Sequence, residues 1–197
     1  MSSHILSKST FMTGVQCKKR LYLHKNCKRL GIERDALTAQ QEAIFAAGTD
    51  AGLLAQQLFP DGVDCSPEFH YDYGPSAART ADLIANGQSV IYEASFIYEG
   101  VLAALDILVK REDGWHAYEM KSTKDVKPQH IQDAALQYWV ITHCGVTLKS
   151  MNVLHFDGEY IRGEELDVQQ LFTWDDVTEQ VLELQPARRR GRRPQGA

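Results

Sequence analysis

Apolar positions recur along this chain with two periods, and the period changes near residue 88. Before it the spacing is helical. Ser7 can cap a first helix, with Leu6 and Phe11 placed as a hydrophobic staple; the pattern runs on to Leu23, with an interruption expected at Gly14. Thr38 and Gln41 form a capping box ahead of Ile44, Ala47, Ala51, Leu54, Ala55 and Leu58, which share one helical face until Pro60. Residues 60–75, rich in Pro, Gly, Asp and Tyr, read as loop or short strand, and Ala77–Asn86 as a helix closed by Gly87. From Ser89 the texture is β. Ser89–Tyr98, Val101–Val109 and Trp115–Met120 are rich in Val, Ile, Tyr, Phe and Trp, and the turn sequences Glu99-Gly100 and Arg111–Gly114 separate them. That predicts an antiparallel meander.

Pro128 then opens a helix of about sixteen residues that stops near Cys144-Gly145. Leu148–Phe156 returns as a strand, and a strand–helix–strand unit normally crosses over right-handed to a parallel neighbour. A last helix is expected from Trp174 to Leu184. The plan is an α/β domain over residues 1–187, with a mixed four-stranded sheet flanked by helices. Residues 188–197 follow as a basic, disordered tail or linker.

Register places chemistry on that sheet. A two-residue loop at Glu99-Gly100 sets Tyr98 opposite Val101, and counting along the strands sets Glu93 opposite Asp106. A four-residue loop at Arg111–Gly114 sets Lys110 opposite Trp115 and Asp106 opposite Glu119. Three carboxylates from three strands then share one row, with directly opposite Cβ atoms about 4.5–5.5 Å apart. Opposed like charges destabilise a sheet, and Asp106 lies within Leu102-Ala-Ala-Leu105 and Ile107-Leu-Val109. An ionised carboxylate there costs several kcal/mol unless compensated. A divalent cation compensates, and oxygen ligands without His or Cys suit Mg2+ or Mn2+. Lys121, two residues after Glu119, shares its face. Glu and Lys also alternate on many solvent-facing strands, so Asp106 in its apolar surroundings carries the argument, not Glu119-Met-Lys121 alone. Glu93 can equally sit solvated at the margin of the sheet.

Composition changes the picture through charge distribution. The chain has 197 residues, 44% apolar and 24% charged, with net charge −5. Residues 1–35 hold eight basic side chains against Glu33 and Asp35, a balance of +6; the five arginines from Arg188 to Arg193 add +5, and the acidic middle carries −16. An acidic body with basic ends suits a polyanion held beside a carboxylate site, with Lys8, Lys18, Lys19 and Arg20 on its phosphates. Such clusters also merely solubilise. Tyr22, Tyr71, Tyr73 and Trp139 offer stacking surfaces or core. No apolar run reaches the roughly 18 residues of a membrane span, and the amino terminus lacks the apolar stretch of a secretory signal, so a cytoplasmic protein is expected. Cys17, Cys27, Cys65 and Cys144 show neither C-x-x-C nor zinc spacing.

The order of these elements and residues resembles the PD-(D/E)XK nuclease superfamily, within it the RecB-like and CRISPR-adaptation exonucleases. Leu6-Ser-Lys-Ser9 and Gln16-Cys-Lys-Lys-Arg-Leu-Tyr-Leu23 look similar to the opening of one bacterial family of this kind. The resemblance implies a restriction-endonuclease-like core. It also implies Mg2+ or Mn2+ held by Asp106, Glu119 and the main-chain carbonyl of Met120, with Glu93 as an additional ligand, and Lys121 as catalytic lysine. RecB-like members carry a Q-x-x-x-Y pattern on the following helix; Gln137 matches, whereas Ile141 stands where tyrosine belongs. Gly48-Thr-Asp-Ala-Gly52 has glycine where a metal-binding histidine belongs, with Asp50 or Glu93 as substitutes. Cys17 matches the early cysteine of iron–sulfur relatives, but no cysteine follows Cys144, so no cluster is expected in this chain. His130 and Asp133 share a helical face with Gln137, as groove lining or as solvated residues. The implied function is metal-dependent phosphodiester hydrolysis of DNA, at ends or on single strands. The alternative is an inactive nuclease-fold module that binds nucleic acid or a partner within a larger protein, with a further domain beyond the carboxyl terminus.

Overall fold

A computed structural model describes residues 5–33, 36–69 and 71–185. The arginine tail expected to be disordered, with Arg34 and Asp35, lies outside the described residues. In chain order the elements are β1 (Leu6–Ser7), α1 (Lys8–Gln16), α2 (Lys18–Leu30), α3 (Ala39–Ala55), β2 (Val63–Asp64), α4 (Gly74–Ala85), β3 (Val90–Tyr98), β4 (Val101–Arg111) and β5 (Gly114–Lys121). Then follow α5 (Pro128–His143), β6 (Leu148–Phe156), α6 (Val168–Leu171), β7 (Phe172–Asp176) and α7 (Thr178–Glu183). The architecture is α/β: a mixed, open, seven-stranded sheet with helices on both faces, ordered β2-β3-β4-β5-β6-β7, with β1 paired to β4.

The sheet thus has seven strands rather than four. β3, β4 and β5 form an antiparallel meander, and β6 runs parallel to β5 after α5. Three strands escape the periodicity argument. β1 and β2 are two-residue parallel pairings, too short to alternate. β7 occupies the stretch expected to begin the last helix: Phe172, Thr173 and Trp174 pair with Phe156, His155 and Leu154. Trp174 packs edge-on against Tyr118, and Thr178 opens α7 with its amide on the Asp176 carboxylate.

Helix starts follow their caps. Ser7 accepts from the Thr10 amide, and the Thr38–Gln41 box is formed. The first helical stretch breaks at Cys17, which is extended, and not at Gly14. Gly14 instead admits Leu21 of α2: an added Cβ would lie 2.7 Å from the Leu21 Cδ2. On α3, Ala51 and Ala55 are buried, whereas Ile44 and Ala47 are exposed, because α3 enters the core only from Ala51 onward.

Two cores cover the two sheet faces. One gathers Ala134, Val140 and Ile141 of α5 and Val181 of α7 over Ile91, Leu108, Ala117 and Val153; the other gathers Ala51, Ala55 and Phe59 over Val90, Ile107, Tyr118 and Leu154. These memberships expose an irregularity. Ile91 and Ala94 of β3 share the α5 face, as do Leu105 and Leu108 of β4, so the period-two alternation restarts between them in both strands. The restart falls at Glu93 and Asp106, where the ladder skips one pair between Tyr92↔Ile107 and Ala94↔Leu105. Glu93 has φ +51, a left-handed conformation that non-glycine residues seldom adopt.

Tyr92 anchors this rung. Its hydroxyl donates to the Phe59 carbonyl at 2.5 Å and accepts from the Gly62 amide at 3.2 Å, and its ring lies flat over Gly62. A Cβ at Gly62 would meet the ring at 2.1 Å, so the ring would have to move. Gly62→Ala is expected to cost about 1–3 kcal/mol of unfolding free energy in urea titration. An unchanged midpoint would show that Tyr92 does not fix the rung.

Candidate active site

Beyond the Glu93/Asp106 rung, β4 and β5 also part. Their last bridged pair is Ile107↔Tyr118. Arg111 pairs with Gly114, so the connecting turn is the two residues Glu112-Asp113, tighter than the four-residue loop expected but with the same register. Asp106 therefore stands one step past the ladder. There its Oδ2 accepts the Met120 amide at 2.6 Å, replacing a main-chain acceptor. The free amino-terminal half of the same β4 edge takes β1, through Leu6↔Val101 and Ser7↔Leu102. That pairing delivers α1, and with it Lys8, to the place where β4 and β5 separate.

Glu119 is the centre of the site. It is 1% exposed in mid-sheet and receives three donors from three elements. Lys8 Nζ of α1 and Lys121 Nζ of β5 each donate to Oε1 at 2.6 Å, and Gln137 Nε2 of α5 donates to Oε2 at 2.7 Å. Lys121 also donates to Asp133 Oδ2 at 2.5 Å, with Lys8 3.8 Å from that oxygen. Burial alone would raise the Glu119 pKa, but Lys121 and Lys8 outweigh it, and the carboxyl titrates well below its usual range. Both lysines are desolvated, yet the surrounding carboxylates hold both pKa values above the ordinary lysine range.

The other acids go the opposite way. Burial, then the Glu119 charge, raises Asp106 well above the carboxylate range and lifts Glu93 to about 7. Burial and Glu119 also raise Asp133. Four carboxyl groups (Glu93, Asp106, Glu119, Asp133) thus surround two ammonium groups (Lys8, Lys121), two negative charges in excess when all are ionised. Two protons balance that excess; so does one divalent cation. Asp133 Oδ1 and Gln137 Oε1 are buried without a hydrogen-bond partner, two hard oxygens in want of a positive charge or a donor. The donor chemistry therefore fits Mg2+ or Mn2+. As they stand, no three His, Cys, Asp or Glu among the described residues are grouped to hold a metal ion. Two of the acids already hold ammonium groups.

Asp106, Glu119, Lys121 and Gln137 meet in one cluster, but the expected row of directly opposite carboxylates is not formed as ladder pairs: the β3–β4 ladder skips Glu93 and Asp106, and the β4–β5 ladder stops before Asp106 and Glu119. Glu93 lies at the same locus, within electrostatic reach of Glu119. Met120 contributes its amide to Asp106. Lys18, Lys19 and Arg20 are exposed on α2, outside the cluster, whereas Lys8, expected with them, is inside it. Asp50 is exposed on α3, whose Ala51 and Ala55 pack on the sheet face opposite α5. His130 is buried, not solvated: its Nδ1 accepts the Lys127 amide at the start of α5.

Lys8 and Asp133 are what sequence reasoning undervalued. The Lys8–Glu119 contact spans 111 positions, beyond any local pattern. One local signal existed: Lys8 is the first residue of a helix with no acidic side chain in its first turn, where the helix dipole disfavours a cation. Lys18 opens α2 in the same way and is exposed, so this signal does not single out Lys8.

No protein-family model matches the chain, and no curated protein matches it in sequence. Among the described residues, no helix is long and apolar enough to cross a membrane.

A pH test follows from Glu93. Its folded pKa of about 7 exceeds the ordinary 4.5, so the fold binds more protons than the unfolded chain between those values. Its contribution to stability therefore falls as pH rises through that window. Without divalent ions, Glu93→Gln is expected to unfold at higher urea concentration than wild type at pH 8, the gap closing below about pH 4.5. A gap independent of pH would contradict the burial of this carboxyl.

Proposed function

We propose that this chain is a metal-dependent nuclease with a PD-(D/E)XK-type centre, hydrolysing phosphodiester bonds of DNA in the cytoplasm. The observation that carries this reading is the convergence of Asp106, Glu119 and Lys121 where β4 and β5 part, with Gln137 closing the cluster from α5. Excess negative charge, hard oxygen donors and a fixed ammonium are the parts that phosphoryl chemistry uses.

The protein's own groups divide the work. Asp106 and Glu119, joined by Glu93 and the Met120 carbonyl, would supply the oxygens for Mg2+ or Mn2+. When bound, such an ion supplies Lewis-acid polarisation of a phosphoryl oxygen and lowers the pKa of an attacking water. Lys121, held between Glu119 and Asp133, would place its ammonium beside the reacting phosphate and neutralise charge gathering on the phosphorus-bound oxygens. Gln137 keeps Glu119 from rotating. Lys18, Lys19 and Arg20 stand on α2, packed beside the helix that carries Lys8, and present an exposed basic surface to the DNA backbone. Single strands or ends fit a site that lies within the sheet rather than on a flat face.

A second reading has its own support. Lys8 rests on Glu119, and no acidic trio among the described residues is grouped for a metal. These facts suit a nuclease-fold module that binds nucleic acid or a partner without cutting, within a longer protein.

Labelled single-stranded DNA incubated with Mg2+ or Mn2+ separates the two. Cleavage is expected in wild type and absent with chelator. Lys121→Ala should lose about 10²–10³-fold in rate, the scale of removing one transition-state donor. Equal cleavage by that variant would remove Lys121 from the mechanism, and no cleavage by wild type on any DNA end or strand would favour the inactive module.

A further inference from the structure

Lys8 and Lys121 donate to the same oxygen, Glu119 Oε1, each at 2.6 Å. Two ammonium groups on one oxygen repel each other strongly where solvent is scarce. Glu119 does not need both, because Lys121 and Gln137 already occupy both of its oxygens. Lys8 is therefore the second cation on an oxygen already served, lying between Glu119 and, at 3.8 Å, Asp133. Among the two, it is also the more free to leave. Lys121 belongs to a strand paired with β6, whereas Lys8 follows a two-residue strand, and its side chain keeps 28% of its surface exposed. A lysine side chain has four rotatable bonds and can withdraw without moving the main chain.

We infer that Lys8 is a tethered counter-ion that a divalent cation displaces from Glu119, and that a nucleic-acid phosphate receives the released ammonium. This rests on the nuclease reading and adds to it an order of loading: the metal and the polyanion each make room for the other. Without a phosphate, displacing Lys8 leaves an ammonium unpaired beside the new cation, so metal binding is weak. With a phosphate at the mouth, the ammonium exchanges one anion for another. Lys18, Lys19 and Arg20 on the adjoining α2 supply the surface that brings the phosphate there. By linkage the coupling is reciprocal.

Calorimetric titration of Mn2+ into the full chain tests this, with and without a phosphorothioate single-stranded oligonucleotide that resists hydrolysis. In wild type the oligonucleotide is expected to tighten Mn2+ binding by a factor on the order of 5–150. In Lys8→Met, Mn2+ should bind tightly without oligonucleotide and gain little from it, while Lys8→Arg keeps the coupling. A larger Mn2+-induced rise in Tm for Lys8→Met than for wild type is the matching stability readout. Wild-type Mn2+ affinity indifferent to the oligonucleotide, or the same affinity in Lys8→Met, overturns the inference and leaves the nuclease reading standing. No Mn2+ binding by any variant under either condition overturns both. Should Lys8→Met fail to fold, Lys8→Gln takes its place, and the wild-type arm still decides whether the coupling exists.

Discussion

A carboxylate 1% exposed in the middle of a sheet can persist only if the protein brings charge and donors to it, and Glu119 sets that requirement for the whole molecule. β5, which carries it, lies between β4 and β6 and under α5, so water cannot serve. The three donors arrive from separate parts of the chain: Lys8 from the amino-terminal corner, Lys121 from the same strand, Gln137 from the crossover helix. Losing one partner of such a buried group costs about 3–5 kcal/mol, comparable with the stability of a small domain. The parts that position these donors are thereby tied to folding as well as to chemistry.

The backbone makes a second concession at the same spot. β4 is long enough to serve two partners on one edge, β1 at Val101–Leu102 and β5 from Ile107 onward. The interval between them is where Asp106 turns its carboxylate to the Met120 amide and where Glu93, across the sheet, takes a positive φ. An interrupted ladder gives up hydrogen bonds and forces a strained residue, yet it lets side chains from neighbouring strands converge instead of standing in parallel ranks. Tyr92, pinned over Gly62, holds the side of the rung that would otherwise relax.

Much of this was legible. Loop length fixes register, so both hairpins kept the expected counts, Tyr98 on Val101 and Lys110 on Trp115, even though the second turn proved shorter; the Glu93–Asp106 and Asp106–Glu119 rungs that those counts imply are not bridged. Shortening a turn by two residues while extending both strands leaves every pair unchanged, which is why that error did no harm. Caps were legible because they are local, as at Ser7 and Thr38. What was not legible depended on distant pairing. The two-residue strands have no period to read, β7 is a strand because β6 offered it an edge, and Ile44 is exposed because α3 outruns the surface it packs on. Lys8 read as one basic residue among many, since nothing within a helical turn of it names Glu119.

Several costs fall on one locus, and their coincidence bears on whether the cluster is merely architectural. Buried ion networks are commonly replaceable by apolar side chains with no loss of stability, so fold maintenance alone does not call for one. Here the network is also incomplete among the described residues: Asp133 Oδ1 and Gln137 Oε1 lack partners, four carboxyl groups outnumber two ammonium groups, and all four carboxyls are moved off their ordinary pKa, Glu119 downward and the other three upward. A strained Glu93 and a broken ladder add to the same site. A structural network would be closed by its own residues. One that stays two charges short, with oxygens turned inward, favours the proposed reading, in which the cluster takes up a cation from outside the chain.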